Sequence, residues 1–263
     1  MIGLTLKWWA VVAVAVTLVL VSGVGSPLLA EPEIQLVTNC RFEGGGYPDG
    51  DDVVPNLWTK FETFQGAPGE ISIISLVDDN GPGCPGVTAV DWVRANGGAS
   101  GDWTCIEQDL DIDIAGYGCL CLLIDVKVFS HDLEAGGWTP ERWEYPVTVI
   151  VYFTDTGGTN RYWQFGWWDW MNPATPPPDD VNGLVVAGGT GIVLSKQVMA
   201  GQWYAESFSL VAELCKLAPP QHIYKIRVGG TGWSFEGRAD NVCICGCSPV
   251  EAVSWGTIKS MFR

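Results

Sequence analysis

Three sets of side chains in this sequence have types and spacings that could do chemistry. The largest is aromatic: there are 14 tryptophans, and many cluster as Trp138 and Trp143, then Trp163, Trp167, Trp168 and Trp170, then Trp203 and Trp233. A flat indole offers an apolar plate to the C–H face of a sugar ring, while neighbouring Asp, Asn and Gln exchange hydrogen bonds with its hydroxyls. In an extended chain alternate residues share a face, so Trp163, Phe165, Trp167 and Asp169 fall on one side and Tyr162, Gln164, Gly166, Trp168 and Trp170 on the other. One side must be core. Trp168 and Trp170, beside a Pro-rich loop, and Trp138, in a Gly-rich stretch, are the expected ligand-binding plates.

The second set is a row of carboxylates, Glu107, Asp109, Asp111 and Asp113. Glu107 and Asp111 could serve as a glycosidase pair, for which a retaining mechanism needs carboxyl groups about 5 to 5.5 Å apart. The row could instead hold a cation that relieves like-charge repulsion, or be a solvated strand face. The third set is Cys119-Leu120-Cys121 and Cys243-Ile244-Cys245-Gly246-Cys247. Structural zinc sites draw on C-x2-C spacing, whereas C-x-C on a strand places both thiols on one face, so disulfides are expected. Nine cysteines cannot all pair within one chain, and the connectivity stays open, with Cys84–Cys105 as one candidate. With only two histidines, His131 and His222, a His-rich zinc site or a Ser-His-Asp triad is excluded as a working hypothesis.

The elements that must position these residues read as strands. From Thr104 to Ile114, Ile106, Gln108, Leu110, Ile112 and Ile114 alternate with the four carboxylates, which sets a mostly apolar face against an acidic one. Further strands are expected at 70–77, 119–129, 147–154, 160–168, 192–198, 207–211, 222–228 and 240–245, separated by Gly, Pro, Asn and Asp clusters. No long amphipathic helix is expected between residues 31 and 247. The sequence therefore predicts an all-β fold, a two-sheet antiparallel β-sandwich over 31–247. Pro176-Pro177-Pro178-Asp179-Asp180 reads as a long loop within this domain, and the glycine runs at 188–191 and 229–232 read as turns.

Both ends differ from this pattern. Lys7, the apolar run from Trp8 to Val21 and the small residues before Glu31 fit a secretory signal peptide over 1–30, with an uncleaved anchor as the alternative. Residues 248–263 form a short tail, expected to be helical from Pro249 with Val250, Val253, Ile258, Met261 and Phe262 on one face. The net charge of −16 argues against nucleic-acid binding, which needs a basic surface to neutralise phosphates. With 47% hydrophobic residues, the chain is too apolar to be disordered.

Asn39-Cys40-Arg41-Phe42-Glu43 followed by Asn56-Leu57-Trp58 resembles the opening strand of galactose-binding-like jelly rolls, a superfamily that includes many carbohydrate-binding modules. Gly101-Asp102-Trp103 leading to Gln108, and Gly237-Arg238-Ala239-Asp240-Asn241-Val242 as the last strand, are similar as well. The resemblance spans most of residues 34 to 245. It implies a jelly-roll fold with first and last strands side by side, and a structural calcium shared by Glu43 and Asp240 with backbone carbonyls completing the shell. The expected function is that of a secreted or cell-surface module that binds a glycan or cell-surface polymer without transforming it. The alternatives are a structural surface protein that self-associates, and a glycosidase using Glu107 and Asp111.

Overall fold

A computed structural model of the chain describes residues 34–63, 68–83, 86–96, 102–132, 144–169 and 179–247. The signal segment, the C-terminal tail, Cys84, Trp138 and Trp170 lie outside the described residues. The strands are β1 (Ile34–Gln35), β2 (Gly46–Asp49), β3 (Asp52–Pro55), β4 (Thr59–Glu62), β5 (Ile71–Val77), β6 (Ala89–Ala95), β7 (Trp103–Asp113), β8 (Cys119–Asp132), β9 (Tyr145–Asp155), β10 (Asn160–Trp168), β11 (Leu184–Val185), β12 (Gly191–Gln197), β13 (Trp203–Ser209), β14 (Pro220–Thr231) and β15 (Ser234–Cys247). They form a β-sandwich. One sheet runs β13-β8-β15-β6-β5, with β1 also paired to β15, and the other runs β11-β12-β10-β9-β14-β7-β4.

The core lies between the sheets and follows from period-two alternation. On β9, Val147, Val149, Val151 and Phe153 point inward, and on β8 so do Leu120, Leu122, Ile124, Val126 and Val128, all buried. On β10 the inward side is Trp163, Phe165 and Trp167, exposed by 0, 3 and 0%. Their rings meet Phe208 of β13, with centroids 5.2 Å apart for Trp163–Phe208 and 4.9 Å for both Phe165–Trp167 and Phe165–Phe208. These indoles are packing residues.

The structure departs from the sequence reading in four places. β10 and β12 pair in parallel, because the stretch from 169 to 190 between them is long enough for the crossover that parallel neighbours need. The strand expected at 207–211 is instead the end of β13 followed by a short helix α1 (Leu210–Cys215). There Leu210 and Leu214 bury the same face at i,i+4 spacing. Gly229 to Thr231 lie in β14 and not in a turn. A Cβ at Gly229 would stand 2.5 Å from the Cys105 Sγ, so the glycine admits a close strand approach. Cys105, proposed as the partner of Cys84, is a buried thiol. It sits near the start of β7 with its Sγ 3.6 Å from the Gly230 carbonyl, and burial pushes its pKa up to about 12. Among the described residues, bridges form between Cys40 and Cys243 and between Cys119 and Cys247, with Cα separations of 5.0 and 5.3 Å.

Trp163→Ala removes one of the two indoles from this ring cluster and is expected to cost about 3–5 kcal/mol, read as a fall in the chemical-denaturation midpoint. Asp111→Ala, at a fully solvated carboxylate, is expected to stay within about 0.5 kcal/mol of the parent. Equal effects would contradict the assignment of faces.

Candidate functional site

The outward face of the seven-stranded sheet carries the complementary set of side chains. On β10 these are Tyr162, Gln164, Gly166 and Trp168, and on β9 Thr148, Ile150 and Tyr152, with Tyr162 directly opposite Tyr152. β14 adds Tyr224, Lys225 and Arg227, and β7 adds Glu107. Tyr162, Tyr152 and Tyr224 form a row, with ring centroids 6.4 Å and 6.2 Å apart and tilts of 50° and 39°. Glycines leave room for rings to lie across the neighbouring strand. A Cβ at Gly191 would stand 2.2 Å from Tyr162, and one at Gly166 would stand 2.3 Å from the Tyr145 ring.

Polar groups are interleaved with the rings. Gln164 Nε2 donates to Thr148 Oγ1 at 3.2 Å, and Trp168 Nε1 donates to Ser195 Oγ at 3.3 Å. Arg227 donates twice to Glu107 Oε2, from Nε at 2.9 Å and Nη2 at 2.7 Å. Lys225 Nζ donates to Glu107 Oε1 at 2.7 Å. The Arg227 guanidinium also lies 3.4 Å from the Phe61 ring centroid and 5.4 Å from that of Tyr152, so it is held by both its charge and its flat face. Burial would raise the Glu107 carboxyl, but the hydrogen bonds from Lys225 and Arg227 outweigh it and hold the group below the ordinary carboxylate range. Burial pushes the Tyr152 phenol up to about 12, so its hydroxyl stays neutral at physiological pH.

Of the three indoles singled out as plates, Trp168 is half-buried on this face. Trp138 and Trp170 are not described. The tyrosine row was missed. Its signal is present in the sequence, since Tyr162 shares the parity of Trp168 and Tyr152 alternates with the apolar set of β9.

Glu43 and Asp240 meet the same stretch of chain, 81–88, at different points. Glu43 Oε1 accepts from the backbone N–H of Val87 at 2.7 Å and of Thr88 at 2.9 Å. Asp240, fully buried, accepts from Gly81 N–H at 3.0 Å and from its neighbour Asn241 at 2.6 Å. Asp125 stands opposite Asp240 on β8 and accepts from Gly83 N–H at 2.8 Å. Burial raises its carboxyl, only partly offset by that bond. Among the described residues, no three His, Cys, Asp or Glu side chains gather closely enough to hold an ion. The acidic row of β7 borders a surface pocket of about 390 Å³, lined by Leu36, Thr38, Leu57, Glu107, Gln108 and Asp111 among others.

No protein-family model matches the sequence, and no curated protein matches it. Several solved structures are similar in outline. A family 61 carbohydrate-binding module in complex with β-1,4-galactotriose aligns at a TM-score of 0.39 and 12% identity, covering 80% of this chain and 97% of that one. The family 11 carbohydrate-binding module of a cellulosomal cellulase of Clostridium thermocellum aligns at 0.39 and 11%, covering 83% and 96%. The xyloglucanase domain of a type three effector from Sinorhizobium fredii, in complex with cellobiose, aligns at 0.40 and 10%, covering 71% and 92%. At these scores and identities neither ligand nor activity passes from them to this chain. The sandwich itself is established by the strand pairing.

Proposed function

We propose that the protein is an exported glycan-binding module whose ligand lies across the outward face of the seven-stranded sheet. The observation that carries this reading is the row Tyr162, Tyr152 and Tyr224, spanning three adjacent strands. Trp168 extends the row, and Trp138 and Trp170 belong to the proposal as further plates. Because the chain carries a net charge of −16 and Glu107 and Asp109 offset Lys225 and Arg227 on this face, the favoured ligand is an uncharged polysaccharide. Tyr152→Ala and Tyr162→Ala are each expected to weaken binding to a soluble neutral polysaccharide about 10-fold or more, which corresponds to about 1.4 kcal/mol. Isothermal titration would measure it. A wild-type protein that retards on no neutral polysaccharide in affinity electrophoresis would overturn the reading.

The glycosidase alternative is disfavoured by spacing. Glu107 and Asp111 are four residues apart on one strand, a rise of about 13 Å, beyond the separations of about 5 to 9.5 Å used by retaining and inverting enzymes. A carboxyl held ionised by Lys225 and Arg227 is also a poor general acid. Its depressed pKa has a stability consequence. The contribution of Glu107 is fully present above the unfolded-state value of about 4.3 and is lost as pH falls through the lower folded value. Glu107→Gln is therefore expected to cost about 1–3 kcal/mol at neutral pH, with the deficit in melting temperature shrinking in acid. Turnover of a chromogenic glycoside by the parent, abolished in this variant, would restore the enzymatic reading.

A structural calcium at Glu43 and Asp240 forms part of the proposal. It is supported by the donor chemistry, since both carboxylates end on a Gly-rich stretch whose carbonyls could complete an oxygen shell. The buried Asp125–Asp240 pair would also gain from a neighbouring cation. Adding EDTA is expected to lower the melting temperature, and excess calcium to restore it. An unchanged temperature removes the ion. A self-assembling surface protein is the competing reading, favoured by Ile71 and Ile73, 45% and 37% exposed on the edge strand β5. Concentration-dependent sedimentation without glycan binding would replace the first reading with this one.

A further inference from the structure

The tyrosine row runs across the strands of the seven-stranded sheet, from β10 to β9 to β14, and β7 is next in sheet order. Tyr224 is an extra residue of β14, since Ile223 and Lys225 pair with the consecutive residues Phe153 and Tyr152 of β9. On the other side Ile223 pairs with Ile112 and Lys225 with Asp109, so Tyr224 lies in register with Leu110 and Asp111 of β7. Beyond β7 the sheet stops. β4 pairs with β7 only as far as Thr59 opposite Glu107, and from Gln108 to Asp113 no strand among the described residues covers that flank. The pocket of about 390 Å³ lies there, lined by Asp109 and Asp111 together with Leu36, Thr38, Leu57 and Thr59. Its wall is fixed by Gln108, a buried side chain. Gln108 Nε2 donates to the carbonyls of Thr38 at 3.1 Å and Leu57 at 2.9 Å, and Oε1 accepts from the Thr38 N–H at 2.9 Å. The bond to Leu57 holds a residue whose φ is 71°, a conformation uncommon outside glycine, and the Leu57 side chain stands exposed in the lining.

We propose that this pocket receives the terminal residue of a glycan lying along the tyrosine row, so that the protein recognises chain ends and not chain interiors. The inference rests on the glycan-binding reading and adds a subsite to it. The pocket is in line with the row, is held in shape before any ligand arrives, and falls in the range of about 300–1,000 Å³ of small-ligand sites. Leu36 and Leu57 offer apolar surface to the C–H face of a sugar. Asp109 and Asp111 supply the discrimination, because an ionised carboxylate only accepts hydrogen bonds. The free hydroxyl at a chain end can donate to it, whereas the glycosidic oxygen that replaces that hydroxyl in a chain interior has no hydrogen to give and leaves the acceptor unmatched. Both side chains are well exposed, and each offers about four acceptor positions against one neighbouring cationic or imidazole group, Lys225 at 3.5 Å from Asp109 and His222 at 3.6 Å from Asp111. The two ends of the row also differ. Tyr162 stands opposite Gly191 of β12, which has no side chain to bar a ligand, while Leu36, Thr38 and Leu57 close the line beyond β7. A chain can therefore run out over β12 but not past the pocket.

The test counts binding sites against chain ends. The full chain is titrated calorimetrically with soluble β-glucan, galactan and mannan, and then with the same mass of each after partial cleavage by an endo-acting glycanase. For a polysaccharide that binds, the number of sites per gram is expected to rise in proportion to the number of ends, with the affinity of each site unchanged. A number of sites that stays level or falls as the chains shorten overturns the proposal. The variant Asp109→Ala/Asp111→Ala removes two exposed carboxylates, so its melting temperature is expected to match the parent's. It is expected to bind the short fragments about 10-fold or more weakly, and unchanged affinity for them overturns the pocket as the terminal subsite. Failure of the parent to bind any of the three polysaccharides or their fragments removes the glycan-binding reading itself. Binding that is weakened by Tyr152→Ala but does not follow the number of ends keeps that reading and removes only the chain-end proposal.

Discussion

The register between β9 and β10 decides both what this molecule buries and what it presents. Trp163 lies opposite Val151, and Tyr162 opposite Tyr152, so one face of the pair is core and the other is the tyrosine row. A slip of one residue would exchange them, placing phenols between the sheets and indoles in water. The ring cluster of Trp163, Phe165, Trp167 and Phe208 makes such a slip costly, because apolar plates of this size each bury roughly 150–250 Å². The outward face is therefore held rigid by the packing beneath it. A binding surface on strands loses little conformational freedom when a ligand arrives.

The same sheet has to keep its cations in place, and Glu107 is the carboxylate that joins both. Glu107 joins Lys225 and Arg227 of β14, while Phe61 of β4 covers the guanidinium. The pairing spans three strands that are far apart in sequence, so it forms only when the sheet is complete. Arg227 is oriented by two bonds that converge on Glu107 Oε2 and by a ring beside it, which leaves it with a fixed direction instead of the freedom of a solvated side chain. On this face the ion pairs act as scaffolding for aromatic surfaces.

Much of this was legible in the sequence where the information is local. Alternation along 104–114 gave β7, and the two sides of 160–168 were separated correctly, since period two needs no knowledge of partners. What could not be read was which side of β10 faces inward. Trp163 and Trp168 are the same residue type, and only the neighbouring strands distinguish them. Long-range pairing was equally hidden: the parallel placement of β12, the Glu107 partners on β14, and the bridges of Cys40 and Cys119. The expected pairing of Cys84 with Cys105 fails for the same reason, since nothing local to β7 shows that Cys105 is a buried thiol set against the Gly230 carbonyl.

The irregularity after Asp240 joins two features that look unrelated along the chain. Asn241 adopts a left-handed backbone conformation, with φ at 53°, which Asn tolerates better than most residues. The extra residue leaves Asp240 buried beneath the 81–83 backbone, and it shifts the following alternation so that three cysteines point away from the core. Without the bulge, Cys243, Cys245 and Cys247 would project between the sheets in place of Val242 and Ile244. One change of parity in a single strand therefore provides both the carboxylate that anchors a neighbouring loop and the thiols that fasten that strand to the rest of the molecule.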